Sequence, residues 1–78
     1  MRLSAFQFAK GIMKHPRKMI GKRVMFHYAN KENPVIGHVV SVSGREIAGQ
    51  GLKIEHLTVD IGNGEYLKRH VKSWEIIL

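Results

Sequence analysis

The sequence predicts a mainly β domain in which five short strands close into a small barrel, preceded by one N-terminal α-helix. The chain has 78 residues, enough for a single hydrophobic core. Apolar residues recur with a helical period before position 16 and alternate with a period of two from position 21 onwards. Turns that contain glycine separate the alternating runs. A flat sheet of this size would leave one face open, so we expect the sheet to curl and close.

The helix prediction covers residues 3–15. Ser4 is followed three positions later by Gln7, which matches a capping box, and Leu3 and Phe8 occupy the two positions of a hydrophobic staple. The apolar residues of this segment share one broad face, which consists of Leu3, Ala5, Phe6, Phe8, Ala9, Ile12 and Met13. The segment therefore predicts an amphipathic helix.

The helix should end where His15 precedes Pro16, because a proline disfavours helical backbone at the residue before it. A helix of about ten residues is only marginally stable alone in water, so its apolar face should be buried. The side chains expected to plug one end of the barrel are Phe6, Phe8 and Ile12. Lys10 and Lys14, four positions apart, should then project together from the opposite face of the helix.

Five strands are predicted in the remainder of the chain. They cover residues 24–28, 35–42, 52–61, 65–71 and 75–78. Gly37, inside the second strand, indicates a bulge or a sharp bend. The apolar phase of the third strand slips near Glu55 and His56, which predicts a β-bulge there.

The connections between the strands carry different turn signals. Residues 30–34 and 72–74 read as turns, whereas residues 43–51, which contain three glycines, predict a flexible loop. The Asn63-Gly64 pair favours a tight hairpin between the third and fourth strands.

Positive charge is the most informative feature of the composition. Thirteen Lys and Arg residues oppose six Asp and Glu residues, which gives a net charge of +7, and residues 1–31 contain eight of the bases and no acid. A one-sided field of this kind favours a polyanion such as DNA, RNA or an acidic membrane, and it also suits an acidic protein surface. The chain has no cysteine, which excludes disulfides and thiolate zinc sites and fits a reducing compartment.

The sequence contains no apolar run near the ~20 residues that a spanning helix needs. Its first residues lack the apolar stretch and the cleavage pattern of a signal peptide. We therefore expect a cytoplasmic protein without integral membrane association.

Short motifs follow one another in the second part of the chain. Residues 21–24 read Gly-x-x-Val, residues 37–39 read Gly-x-Val, and residues 71–77 read like a single-turn helix before a last strand. In this order they resemble the SH3-like barrels of the KOW and Tudor kind over residues 19–78. The resemblance implies a five-stranded SH3-like barrel that binds RNA, DNA or components of the transcription or translation machinery. Residues 1–18 form a basic helix and linker within the same folding unit.

The candidate binding residues combine the N-terminal bases with one exposed aromatic side chain. They are Lys10, Lys14, Arg17, Lys18, Lys22, Arg23, Lys31 and Tyr66. The bases could contact several phosphates along a nucleic-acid backbone, and Tyr66 could stack on a base. The alternative for the bases is a solvated surface, and the alternative for the apolar helix is a position in a membrane interface.

Metal and catalytic motifs are not found. His27, His38, His56 and His70 fall in different predicted strands without the spacing of a metal site. No nucleophile elbow, paired-carboxylate motif or phosphate loop is present, so we expect neither an enzyme nor a cofactor.

Two functions follow from these observations. The first is a small basic protein that binds nucleic acid largely without sequence specificity, through the phosphate backbone. The second is a non-enzymatic adaptor or inhibitor, of the kind that phages and plasmids encode as accessory factors, which docks on an acidic protein such as a polymerase or nuclease.

Overall fold

The computed structural model describes residues 2–27 and 33–78, and within them seven strands form one curled antiparallel sheet. The strands are β1 Arg2–Ser4, β2 Ile12–Met13, β3 Arg23–Phe26, β4 Val35–Ile47, β5 Gly51–Gly62, β6 Glu65–His70 and β7 Glu75–Ile77. Their order is β1-β7-β3-β4-β5-β2, and β6 also pairs with β5. The chain is therefore mainly β, in the form of a half-barrel that is compatible with a small barrel.

The N-terminal segment differs from the predicted helix over residues 3–15. Helix α1 covers only Ala5–Ala9, and it is flanked by β1 and β2. Lys10 ends the helix in the left-handed conformation, at φ 48°, and Gly11 follows at φ 81°. The reason is that β5 offers backbone partners to Ile12 and Met13, which replace the helical bonds of a marginal helix.

The short segment connects the two ends of the curled sheet. Strand β1 pairs with β7, at one end of the strand order, and β2 pairs with β5, at the other end. Helix α1 spans the distance between them and packs against a 3₁₀ turn, Val71–Ser73, that connects β6 to β7. The backbone N–H of Ala5 donates to the carbonyl oxygen of Trp74 at 2.9 Å. Residues 2–13 thus fold as part of the sheet rather than as a separate arm.

The predicted flexible loop over residues 43–51 is wrong. Strand β4 continues to Ile47 and β5 begins at Gly51, so a three-residue turn connects them directly. The β4–β5 register shifts at Val40, and again at Glu55, where the predicted bulge is confirmed. Gly37 is not bulged, since it pairs with Val24 in the regular register of β3 and β4. A Cβ there would overlap the carbonyl oxygen of Asp60. It is a point of close approach between strands.

The Asn63-Gly64 hairpin is confirmed. Both residues have positive φ, 55° and 75°, as a type I′ turn requires, and Gly62 pairs with Glu65 across it. Tyr28, the last residue of the first predicted strand, and most of the predicted turn over residues 30–34 lie outside the described residues.

The concave side of the sheet holds the core. Its buried side chains are Ala5, Ala9, Met19, Val24, Val39, Ile54, Leu57, Val59, Val71, Trp74 and Ile76. Trp74, the only tryptophan of the chain, is 0% exposed and lies 5.6 Å from Phe26, ring centre to ring centre. The 3₁₀ turn Pro16–Met19 packs on the same side, because Met19 is fully buried in this core.

The predicted plug of three apolar side chains is only partly right. Phe8 packs against the core, but Phe6 is 39% exposed and Ile12 also reaches the surface. The helix is anchored instead by Ala5 and Ala9, which are small enough for α1 to lie close to the sheet. Among residues 2–27 and 33–78, no helix has the length and apolar character to cross a membrane.

Candidate nucleic-acid interface

Two lysines lie over the aromatic rings of helix α1. The ammonium of Lys72 lies 4.9 Å from the centre of the Phe6 ring, and that of Lys22 lies 5.3 Å from the centre of the Phe8 ring. Both distances are within the range of a cation–π contact. Each aromatic ring of the helix is therefore contacted by a base from another part of the chain, Phe6 by the 3₁₀ turn before β7 and Phe8 by the residue before β3.

Lys10 lies at the end of the same helix. Its backbone N–H donates to the carbonyl oxygen of Phe6 at 3.0 Å, and its side chain is exposed. The left-handed conformation at this position usually favours glycine, because a Cβ is unfavourable there. A lysine at such a position presents a charge at the end of the helix that carries the partly exposed Phe6.

The turn Pro16–Met19 adds two more exposed bases, Arg17 and Lys18. His15 precedes Pro16 with non-helical backbone, at φ −126° and ψ 73°, and buried Met19 fixes the turn on the core. Arg17 and Lys18 therefore lie on the helix side of the sheet.

We call this group the helix-side surface. It consists of Phe6, Lys10, Arg17, Lys18, Lys22 and Lys72. In the part of the chain that the structure describes, none of its bases lies within 4 Å of a carboxylate. The surface combines unneutralised positive charge with an aromatic ring that solvent reaches.

The remaining candidate residues are dispersed. Lys10 and Lys14 do not share a helix face, because Lys14 follows β2 and lines an open cleft of about 420 Å³ at the turn between β4 and β5. Arg23 and Tyr66 point away from the core, on the convex side of the sheet, and Tyr66 is 62% exposed. Lys31 lies outside the described residues.

No family model, no curated protein and no solved structure matches the chain at a significant level.

Three exposed bases on the convex side escaped the sequence prediction. Arg45, Lys53 and Lys68 belong to β4, β5 and β6, in the part of the chain where acids and bases balance. The net charge of that part of the chain therefore gave no indication that these bases form a surface. Treating residues 43–51 as a hairpin instead of a loop would have placed Arg45 opposite Lys53.

Three of the histidines, His38, His56 and His70, lie on the convex side of the sheet. His38 lies opposite Asp60, with 3.9 Å between Nε2 and Oδ2, and His56 lies opposite His70, with 5.6 Å between ring centres. Nδ1 of His70 accepts the backbone N–H of Lys72 at 3.1 Å, so the ring proton of a neutral His70 is on Nε2. Metal binding through Nε2 requires the other tautomer, so this hydrogen bond opposes it. Within the described residues, no three His, Asp or Glu side chains form a group able to hold a metal ion.

Proposed function

We propose that this protein binds nucleic acid through the helix-side surface, largely without sequence specificity and without catalysis. The observation that carries the proposal is that Lys10, Arg17 and Lys18 are all exposed on the side of the sheet where α1 and the turn Pro16–Met19 pack, with no carboxylate among the described residues close enough to neutralise them. Exposed cations of this kind gain binding free energy by releasing counterions from phosphates.

The aromatic side chain gives the surface a second kind of contact. Phe6 is 39% exposed beneath Lys72, so a base could stack on the part of the ring that remains accessible while Lys72 contacts a phosphate. Stacking tolerates any base, and phosphate contacts carry no sequence information. Both contacts support binding without strong sequence preference.

The fold proposal that accompanies this function is an SH3-like barrel of the KOW kind. Strands β3 to β7 follow one another with a single 3₁₀ turn, Val71–Ser73, before the last strand, and β3 pairs with both β4 and β7. This connectivity supports the proposal. On it, β1, α1, β2 and the turn Pro16–Met19 are additions, and this part of the chain carries Phe6, Lys10, Arg17 and Lys18.

Titration of fluorescent single-stranded DNA, duplex DNA and RNA tests the function. We expect binding by the native chain, and affinity about tenfold weaker for the variant Lys10→Gln, Arg17→Gln, Lys18→Gln at low salt. The variant Arg2→Gln, Arg69→Gln removes exposed positive charge from outside the helix-side surface and is the control for a general loss of charge. Binding that is absent, or equal in the native chain and the helix-side variant, would contradict the proposal.

A second function is favoured by one specific observation. Phe6 and Ile20 expose 39% and 45% of their surface in the basic N-terminal segment, and apolar anchors surrounded by charge are typical of a protein interface. An adaptor that docks on an acidic protein would use them. A partner retained after nuclease treatment, and lost with Ile20→Ser, would favour this function, whereas loss of all partners on nuclease treatment would favour nucleic acid.

A further inference from the structure

The convex face of β4, β5 and β6 carries a second basic surface. Directly opposed residues on neighbouring strands point to the same side of a sheet, so the register defines rows of side chains. The rows are Ser41–Thr58–Lys68, Ser43–His56–His70 and Arg45–Lys53–Ile12. We call them the convex-face rows. They hold three permanent cations, two histidines and three hydroxyl groups, and the carboxylate of Asp60 lies outside them in the neighbouring row His38–Asp60–Tyr66.

One pair in these rows is unfavourable for the folded protein by itself. Arg45 and Lys53 are both exposed and directly opposed across β4 and β5, where like charges repel. Glu55, the bulged residue on β5, forms no ion pair with either base among the described residues. A polyanion placed across the two strands would relieve this repulsion.

The composition of the rows favours a nucleic-acid backbone over a protein. A protein interface needs apolar or aromatic anchors at its centre. The rows centred on Thr58 and His56 have none, Ile12 lies at the end of the third row, and the exposed Tyr66 lies outside the rows. Hydroxyl donors interspersed with Lys and Arg are instead the groups that contact phosphate and sugar oxygens.

The core separates this face from the helix-side surface. Helix α1 and the turn Pro16–Met19 pack on the concave side through Ala5, Ala9 and Met19, whereas the convex-face rows point away from the same sheet. One nucleic-acid segment could not lie flat on both.

We propose that the convex-face rows form a second phosphate-binding surface, so that one molecule holds two duplex DNA segments and bridges them. The inference rests on the proposed function, because bridging needs the helix-side surface as the other contact. It adds an activity that a single binding surface cannot supply.

A bead assay tests the bridge. Biotinylated duplex DNA on beads is mixed with protein and a second, fluorescent duplex, and the retained fluorescence is measured. We expect the native chain to retain the second duplex. Both the convex-face variant Arg45→Gln, Lys53→Gln, Lys68→Gln and the helix-side variant Lys10→Gln, Arg17→Gln, Lys18→Gln should retain about tenfold less, while each still binds one duplex in solution. The variant Arg2→Gln, Arg69→Gln loses charge from neither surface and should bridge like the native chain, which controls for a general charge effect.

The outcomes separate the two proposals. If the native chain binds duplex DNA but retains no second duplex, or if the convex-face variant bridges as well as the native chain, the bridging inference is wrong and the proposed function stands. The second result would point to two copies of the protein joined through another surface. If the native chain binds no nucleic acid at all, both proposals fail.

Discussion

Arg45 on β4 and Lys53 on β5 are directly opposed across two adjacent strands, and both side chains are exposed on the convex face. Two like charges in this position weaken the hairpin that carries them. Nothing in the connectivity of the hairpin requires either residue to be a base. The pair therefore predicts that stability and binding respond in opposite directions to the same substitution.

Lys53→Glu should stabilise the protein. The substitution places an acid opposite Arg45, and replacing repulsion by attraction should raise the free energy of unfolding by about 0.5 kcal/mol. Affinity for duplex DNA should fall. Urea unfolding followed by Trp74 fluorescence measures the stability, and Lys68→Glu, opposite the neutral Thr58, is the control that should leave it unchanged. A stability loss with Lys53→Glu would show that the pair is not repulsive.

Lys10→Gly, in the helix-side surface, should also raise stability while it weakens binding. Lys10 has a φ of 48°, at which glycine is favoured, so the substitution should stabilise the fold by about 1 kcal/mol. The loss of charge should weaken nucleic-acid binding. Lys10→Gln removes the same charge and keeps the Cβ, so it should weaken binding without raising the melting temperature. Equal stability of the two variants would contradict the conformational argument.

The two phenylalanines of α1 should separate folding from binding. Phe8 packs against the core, so Phe8→Ala should cost about 2 kcal/mol of stability. Phe6 is more exposed and mainly contacts Lys72, so Phe6→Ala should cost no more than about 1 kcal/mol. For affinity to single-stranded DNA we expect the opposite order. Phe6→Ala should weaken binding about fivefold because stacking is lost, and Phe8→Ala should have the smaller effect. Unchanged affinity of the Phe6→Ala variant would show that bases do not stack on Phe6.

Gly37→Ala tests the close approach of β4 and β5. Because a Cβ at this position would overlap the Asp60 carbonyl and meet Val59, the backbone must shift, and we expect a loss of about 2 kcal/mol or more. Ser41→Ala, on the exposed side of the same strand, should stay within about 0.5 kcal/mol. Thermal unfolding of the two variants provides the comparison, and similar melting temperatures would mean that the strands can separate there at little cost.

Local signals in the sequence predicted the features that depend on few residues. The Asn63-Gly64 turn is confirmed because the required positive φ values exclude most other residue types. The bulge at Glu55 is confirmed because the change of apolar phase is visible within one strand.

Features that depend on distant partners were not predictable in the same way. Ile12 and Met13 fit a helical face as well as a strand, and only the free edge of β5 decides between them. Strand β4 continues to Ile47 because β5 pairs with it. Without that partner, the glycines of residues 43–51 favour a loop. The contact between Lys72 and Phe6 in the binding site also depends on residues distant in sequence, because it forms only when the 3₁₀ turn packs on α1.

The salt dependence of duplex DNA binding tests the central claim most directly. If about five phosphates are neutralised, the logarithm of the binding constant should fall with the logarithm of salt concentration at a slope between about −4 and −5. The variant Lys10→Gln, Arg17→Gln, Lys18→Gln should give a slope shallower by about 3, because each lost phosphate contact removes about one unit. A slope that is the same in the native chain and in a variant with unchanged circular dichroism and Trp74 fluorescence would contradict phosphate binding by the helix-side surface.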